Sequence, residues 1–158
     1  MFKFVGLMLI AVSVLSLAVI AFSPGSIVGL ESPMQGPERL SPSDRIDSSQ
    51  LSMTANGLLV KGLTGIRIVN IADTNSMDPV IDAEATVVET IPKTSDELHL
   101  GDIISYKSGD NLIIHRIIEI SSDENGWFAT VKGDNNSVPD PDKVRFEQIK
   151  GVVVGILY

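Results

Sequence analysis

The chain has 158 residues, enough for one globular core with an appended segment and too few for a multidomain enzyme. Twenty Asp and Glu against twelve Lys and Arg give a net charge of −8, which argues against a nucleic-acid partner because phosphate binding needs a basic face. The absence of cysteine removes disulfide scaffolds, thiolate metal sites and cysteine nucleophiles.

Residues 4–22 run nineteen positions without a charge, and as a helix at ~1.5 Å per residue they span about the ~30 Å hydrocarbon core of a bilayer. A cleaved secretory signal is the competing reading, with Lys3 as its basic start. The run exceeds the ~7–15 apolar residues of such a signal, and its best exit, Ala21-Phe22-Ser23, is followed at once by Pro24. Residues 1–22 are therefore expected to be a retained transmembrane anchor. Lys3 is the only basic side chain before Arg39, and beyond the anchor twenty acidic residues face eleven basic ones. The positive-inside bias then predicts a single-pass protein with a cytosolic N-terminus and its body on the non-cytosolic side.

Residues 23–57 hold four of the eight prolines, many serines and no sustained apolar period, which is the composition of a spacer. Ile27, Val28, Leu30, Leu40 and Leu51 are apolar enough to dock part of it on the body. Over 58–158, short β-branched runs alternate with turn signals: LLVK, GIRIVNIA, ATVVET, DIISYK, LIIHRIIEI, WFATVKG and IKGVVVGILY. Six or seven short strands with no helical period between them predict an all-β domain, a sandwich or partly open barrel. Gly109-Asp110-Asn111 and Glu124-Asn125-Gly126 suit hairpin turns.

Three places could carry chemistry. Ser76, in Asn75-Ser76-Met77-Asp78-Pro79, follows an apolar strand, and a serine where a strand breaks into a loop holds its hydroxyl exposed on a rigid support; the same residues are also ordinary turn formers. His115 sits among Ile113, Ile114, Ile117 and Ile118, where partial desolvation favours the neutral imidazole a general base requires, although a strand histidine is also a common core residue. Asp134 and Asp140 flank a Gly- and Asn-rich loop. They suit the third member of a triad, a calcium site with Asn136 and Asp142, or a plain acidic turn.

In chain order the segments are an apolar anchor, S-M-D-P at 76–79, G-D-I-I-S-Y at 101–106, I-I-H-R-I at 113–117, G-D-N-N-S-V-P-D at 133–140 and G-V-V-V-G-I at 151–156. Together and in this order they resemble the type I signal peptidases, in the archaeal and endoplasmic-reticulum-type branch, where histidine occupies the strand position that carries lysine in most bacterial enzymes. The resemblance covers residues 66–158. It implies Ser76 as nucleophile, His115 as general base and later acid, and Asp134 and Asp140 as acidic partners, either of which could meet the imidazole. It implies that Thr74 and the Ser76 backbone N–H hold the oxyanion and that Met77 and Pro79 shape the substrate-binding loop. Asn75 stands where the family usually has glycine, and asparagine is the side chain most tolerant of positive φ.

The activity so implied is a membrane-anchored serine endopeptidase that removes signal peptides from exported preproteins, with no cofactor or metal. Two other readings use the same residues. One is a non-catalytic anchored β-domain binding a protein partner or calcium; the other is a related peptidase processing other surface proteins.

Overall fold

Apolar runs broken by Gly, Asn and Asp fold as nine antiparallel strands in a computed structural model that describes residues 40–158. The expected anchor and residues 23–39 of the expected spacer lie outside the described residues. β1 (Leu51–Thr54) and β2 (Gly57–Val60) pair only with each other. β3 (Ile66–Asn70), β4 (Thr86–Thr90), β5 (Ile103–Ser108), β6 (Asn111–Asp123), β7 (Gly126–Lys132), β8 (Val144–Arg145) and β9 (Ile149–Leu157) form one sheet in the order β3-β4-β9-β5-β6-β7-β8. Both expected hairpins form, around Gly109-Asp110 and Glu124-Asn125. The helices among the described residues are three single-turn 3₁₀ segments.

The seven runs read from the sequence correspond to β2 through β7 and β9. β1 was hidden in serine-rich sequence, and β8 is two residues long, too short for a period. The β1–β2 hairpin also straddles position 57, the expected end of the spacer.

The central strands are buried on both faces, which is why they read as continuous apolar runs rather than alternating ones. On β5, Ile104 and Tyr106 enter one core with Ile117, Val131 and Val152, while Ile103 enters the other with Val87, Ile114 and Val153. Met77, Ile81 and Ala85, from the connection between β3 and β4, complete that second core. Burying a side chain of this size stabilises the fold by roughly 1.5–3 kcal/mol. The connection carrying Ser76 is thus fastened by packing.

Part of the expected spacer is fastened too, by polar contacts, while Leu40 and Leu51 stay about half exposed and Ile27, Val28 and Leu30 lie outside the described residues. Asp102, fully buried, accepts from Ser43 N–H (2.9 Å) and Oγ–H (2.7 Å), from Arg45 Nη2 (2.6 Å) and from His99 N–H (2.9 Å). Burial opposes its charge, but these donors outweigh burial and hold the carboxyl below its ordinary range. Its stabilisation is complete above that range and is lost as pH falls through the lowered folded value. Nearby, Arg116 Nη1 donates to the carbonyls of Leu40 and Gly101, each at 2.9 Å, and a Cβ on Gly101 (φ 91°) would overlap Ser41 O.

A chain beginning at Leu40 is accordingly expected to be more stable than one beginning at Asp47, which keeps the β1–β2 hairpin, by on the order of 2–4 kcal/mol, because the shorter one strips Ser43 and Arg45 from a buried carboxylate. Urea titrations of the two chains measure this; equal midpoints with equal slopes would count against it.

Glu89 on β4 is the opposite case. It is fully buried, bonded to Ser105 Oγ (3.0 Å) with Arg67 at 3.6 Å, and its Oε1 has no partner among the described residues. Burial raises its pKa, against the pull of Ser105 and Arg67. A carboxyl raised on folding stabilises the fold at low pH, and that contribution fades as pH climbs from the unfolded value through the folded one. Glu89→Gln should therefore raise the thermal midpoint at pH 7 and change it little at pH 4, as scanning calorimetry at the two pH values would show.

Candidate active site

After β3, residues 71–85 make no strand. Met77 turns the chain by accepting from Val80 N–H (3.0 Å) and Ile81 N–H (3.1 Å), the Asp78-Pro79 peptide is cis, and Met77 itself is buried. Asn75 adopts φ 54°, in the left-handed region where asparagine is the least strained non-glycine residue. The asparagine thus meets, without glycine, a backbone conformation that most side chains avoid. The next residue, Ser76, is partly exposed and shares a hydrogen bond with Thr74 through their hydroxyls at 3.2 Å.

A second loop clamps the first. Asn135 N–H donates to Ser76 O (2.9 Å), Asn135 Nδ2 to Asn75 O (3.0 Å), and Asp134 N–H to Met77 Sδ (3.4 Å). The loops approach so closely that a Cβ on Gly133 would lie 2.5 Å from Ser76 O. The Gly133-Asp134-Asn135 segment therefore fixes the serine loop chiefly through its backbone.

β6 supplies two adjacent buried residues on opposite faces, as the two-residue period of a strand requires. Arg116 donates through Nε to Asp134 Oδ1 (2.8 Å) and through Nη2 to Oδ2 (2.7 Å), a bidentate pair buried at both ends. His115 places Nδ1 2.8 Å from Asp140 Oδ2, and the same oxygen accepts the Tyr106 hydroxyl. Of the two aspartates left open by the sequence, the one that meets His115 Nδ1 is Asp140; Asp134 holds Arg116. With Nδ1 donating to a carboxylate, Nε2 carries the lone pair that can accept a proton.

Ser76, His115, Thr74 and Met77 line one cleft of about 370 Å³, together with Asn136. Its walls are residues 69–72, which continue β3, and residues 112–114 of β6. No hydrogen bond joins Ser76 to His115: the serine is bonded to Thr74 and the histidine to Asp140. Such bonds are often long or misaligned until substrate is present. Asp134 meets Arg116, and Asp140 meets His115 and Tyr106.

Compared with protein-family models and with curated proteins, the chain matches none.

Arg116, Tyr106 and Asn135 are the contributors that sequence reasoning left without a role. A cation and an imidazole side by side in an isoleucine run was the available signal for Arg116, because a buried charge demands a buried partner. The difference between the aspartates is testable. Asp134→Asn should cost about 3–5 kcal/mol by leaving the guanidinium uncompensated, whereas Asp140→Asn should cost about 1 kcal/mol. Urea unfolding of both variants compares them; equal losses would contradict the assignment.

Proposed function

We propose that the protein is a membrane-anchored serine endopeptidase that removes N-terminal signal peptides from exported preproteins, with its β-rich body, a partly open barrel or sandwich, on the non-cytosolic side. The observation that carries this reading is a single cleft holding Ser76 beside a threonine hydroxyl and His115 backed by a carboxylate.

The cleft suits a peptide. β3 is an edge strand, and residues 111–115 of β6 are paired on the β5 side while β7 begins its pairing at Arg116. Both walls thus offer free backbone edges to an extended chain, which main-chain hydrogen bonds can hold while side-chain pockets select. Ile81, Ile114 and Met77 line the interior and leave room for small apolar side chains, as the family resemblance implies for the residues before the cut.

In the proposed reaction Ser76 Oγ attacks the scissile carbonyl carbon as its proton passes to His115 Nε2. The bond to Asp140 steadies the imidazolium so formed. The tetrahedral oxyanion is held by the Ser76 N–H and the Thr74 hydroxyl, a donor of this kind contributing ~2.7–4 kcal/mol. The Thr74 hydroxyl turns from Ser76 to the oxyanion as the serine bond is transferred to His115. His115 then protonates the leaving amine, and water activated by the same nitrogen hydrolyses the acyl-enzyme.

Ser76→Ala should reduce cleavage of a signal-bearing preprotein by about 10⁴-fold or more while circular dichroism stays unchanged, since the hydroxyl fills no core volume. His115→Ala and His115→Lys should be equally inactive. Lys132→Ala should remain active, because that ammonium is engaged with the Asn136 carbonyl at 2.8 Å. Turnover surviving in Ser76→Ala would end the serine-peptidase reading.

A further inference from the structure

Asp140 Oδ2 receives two donors, and only one of them takes part in the proton transfers. The imidazole comes from β6; the second donor is the hydroxyl of Tyr106, from β5. Tyr106 is 3% exposed and its ring is packed in the first core with Ile104 and Ile117, so the position of its hydroxyl is set by the sheet. Asp140 is on a loop, with its backbone tied by one bond from its N–H to Val131 O at 2.9 Å. A core residue therefore fixes the orientation of a loop carboxylate. Burial, then the bond to Asp140 and the charges of Asp140 and Asp142, keep the phenol protonated far above its ordinary range.

We infer that Tyr106 is a positioning residue: by sharing the Asp140 oxygen with His115 it fixes that carboxylate and tempers its hold on the protonated imidazole, so that His115 returns readily to its neutral form. A hydrogen bond to a carboxylate draws off part of the charge that would otherwise stabilise a neighbouring cation. The other groups facing the imidazole do not duplicate this. Ser76 and Asp82 line the same cleft, and Asp82 is bonded to the N–H groups of Glu84 and Ala85; Arg116 lies on the opposite face of β6 against Asp134. The rings of Tyr106 and His115 are 6.4 Å apart and tilted by 54°, so the link between them runs through Asp140 and not through stacking.

The inference rests on the catalytic reading of Ser76 and His115, and its test includes a measurement that does not depend on activity. The chain has two histidines, and His99, well exposed, serves as an internal reference. In the full chain in detergent, imidazole resonances are followed against pH for the parent, Tyr106→Phe and Asp140→Asn. Tyr106→Phe keeps the ring and should move the His115 titration upward by roughly 0.5–1 unit, with the acidic limb of kcat/KM moving alongside and KM unchanged. Asp140→Asn should move it downward. His99 should stay in place in both. A His115 titration that is unmoved or lowered in Tyr106→Phe overturns the inference. An inactive parent, or an active Ser76→Ala, would instead fault the peptidase reading, while the resonance shift still decides the role of Tyr106.

Discussion

The buried ion pair between Arg116 and Asp134 is the constraint on which the arrangement of the body depends. A guanidinium removed from water must find partners for its N–H groups, and this one finds them in both carboxylate oxygens of Asp134 and in the carbonyls of Leu40 and Gly101. Three distant pieces of chain are thereby brought to one strand: the segment entering the body, the turn before β5 and the loop after β7. Such a pair adds little net stability over an apolar substitute, yet it is intolerant of losing one member, which makes it a device for fixing geometry. That geometry reaches the site in one further step, because the residue that holds Arg116 also donates its N–H to Met77, beside Ser76.

Asp134 and Asp140 divide two tasks that the sequence could not separate. Asp134 is nearly inaccessible and neutralised by a fixed cation, so it is suited to building the loop clamp. Asp140 is somewhat more exposed and meets a group that can change charge. A carboxylate paired with arginine has little capacity left to stabilise an imidazolium, and the proposed chemistry requires the separation the fold provides. Asp102 repeats the structural solution elsewhere, with its charge satisfied by Arg45, Ser43 and His99 N–H.

The strands were legible because their residues obey local rules: β-branched runs ended by Gly, Asn and Asp gave β2 through β7 and β9 and both hairpins. β1 and β8 escaped because pairing, and not composition, makes them strands; Ser52 and Thr54 extend because β2 lies alongside. In the site, Ser76, Thr74, Met77 and His115 were identified as candidates, and all four line the cleft. What could not be read was which aspartate would meet the imidazole, since both lie in one loop and the choice is made by how residues 133–140 cross β6. The apolar side chains of residues 23–57 point to docking of part of that segment; among the described residues it is Ser43 and Arg45 that hold it, because buried Asp102 makes a stronger demand than exposed Leu40.

Register along β6 ties these features together. His115 and Arg116 are neighbours whose side chains leave opposite faces, so a slip of one residue would put the guanidinium into the cleft and the imidazole against Asp134. The exchange would take from Asp134 its fixed cation, and for the proposed chemistry it would leave in the cleft a group that cannot give up its proton. The register is therefore specified by more than apolar patterning, which in this stretch is weak because isoleucines occupy both faces. The bidentate bond of Arg116 to Asp134 on one face and the bond of His115 to Asp140 on the other both select this alignment. The irregularity in the ladder falls between Ile117 and Glu119, just beyond these residues, so the strand changes its pairing only after both side chains have been placed.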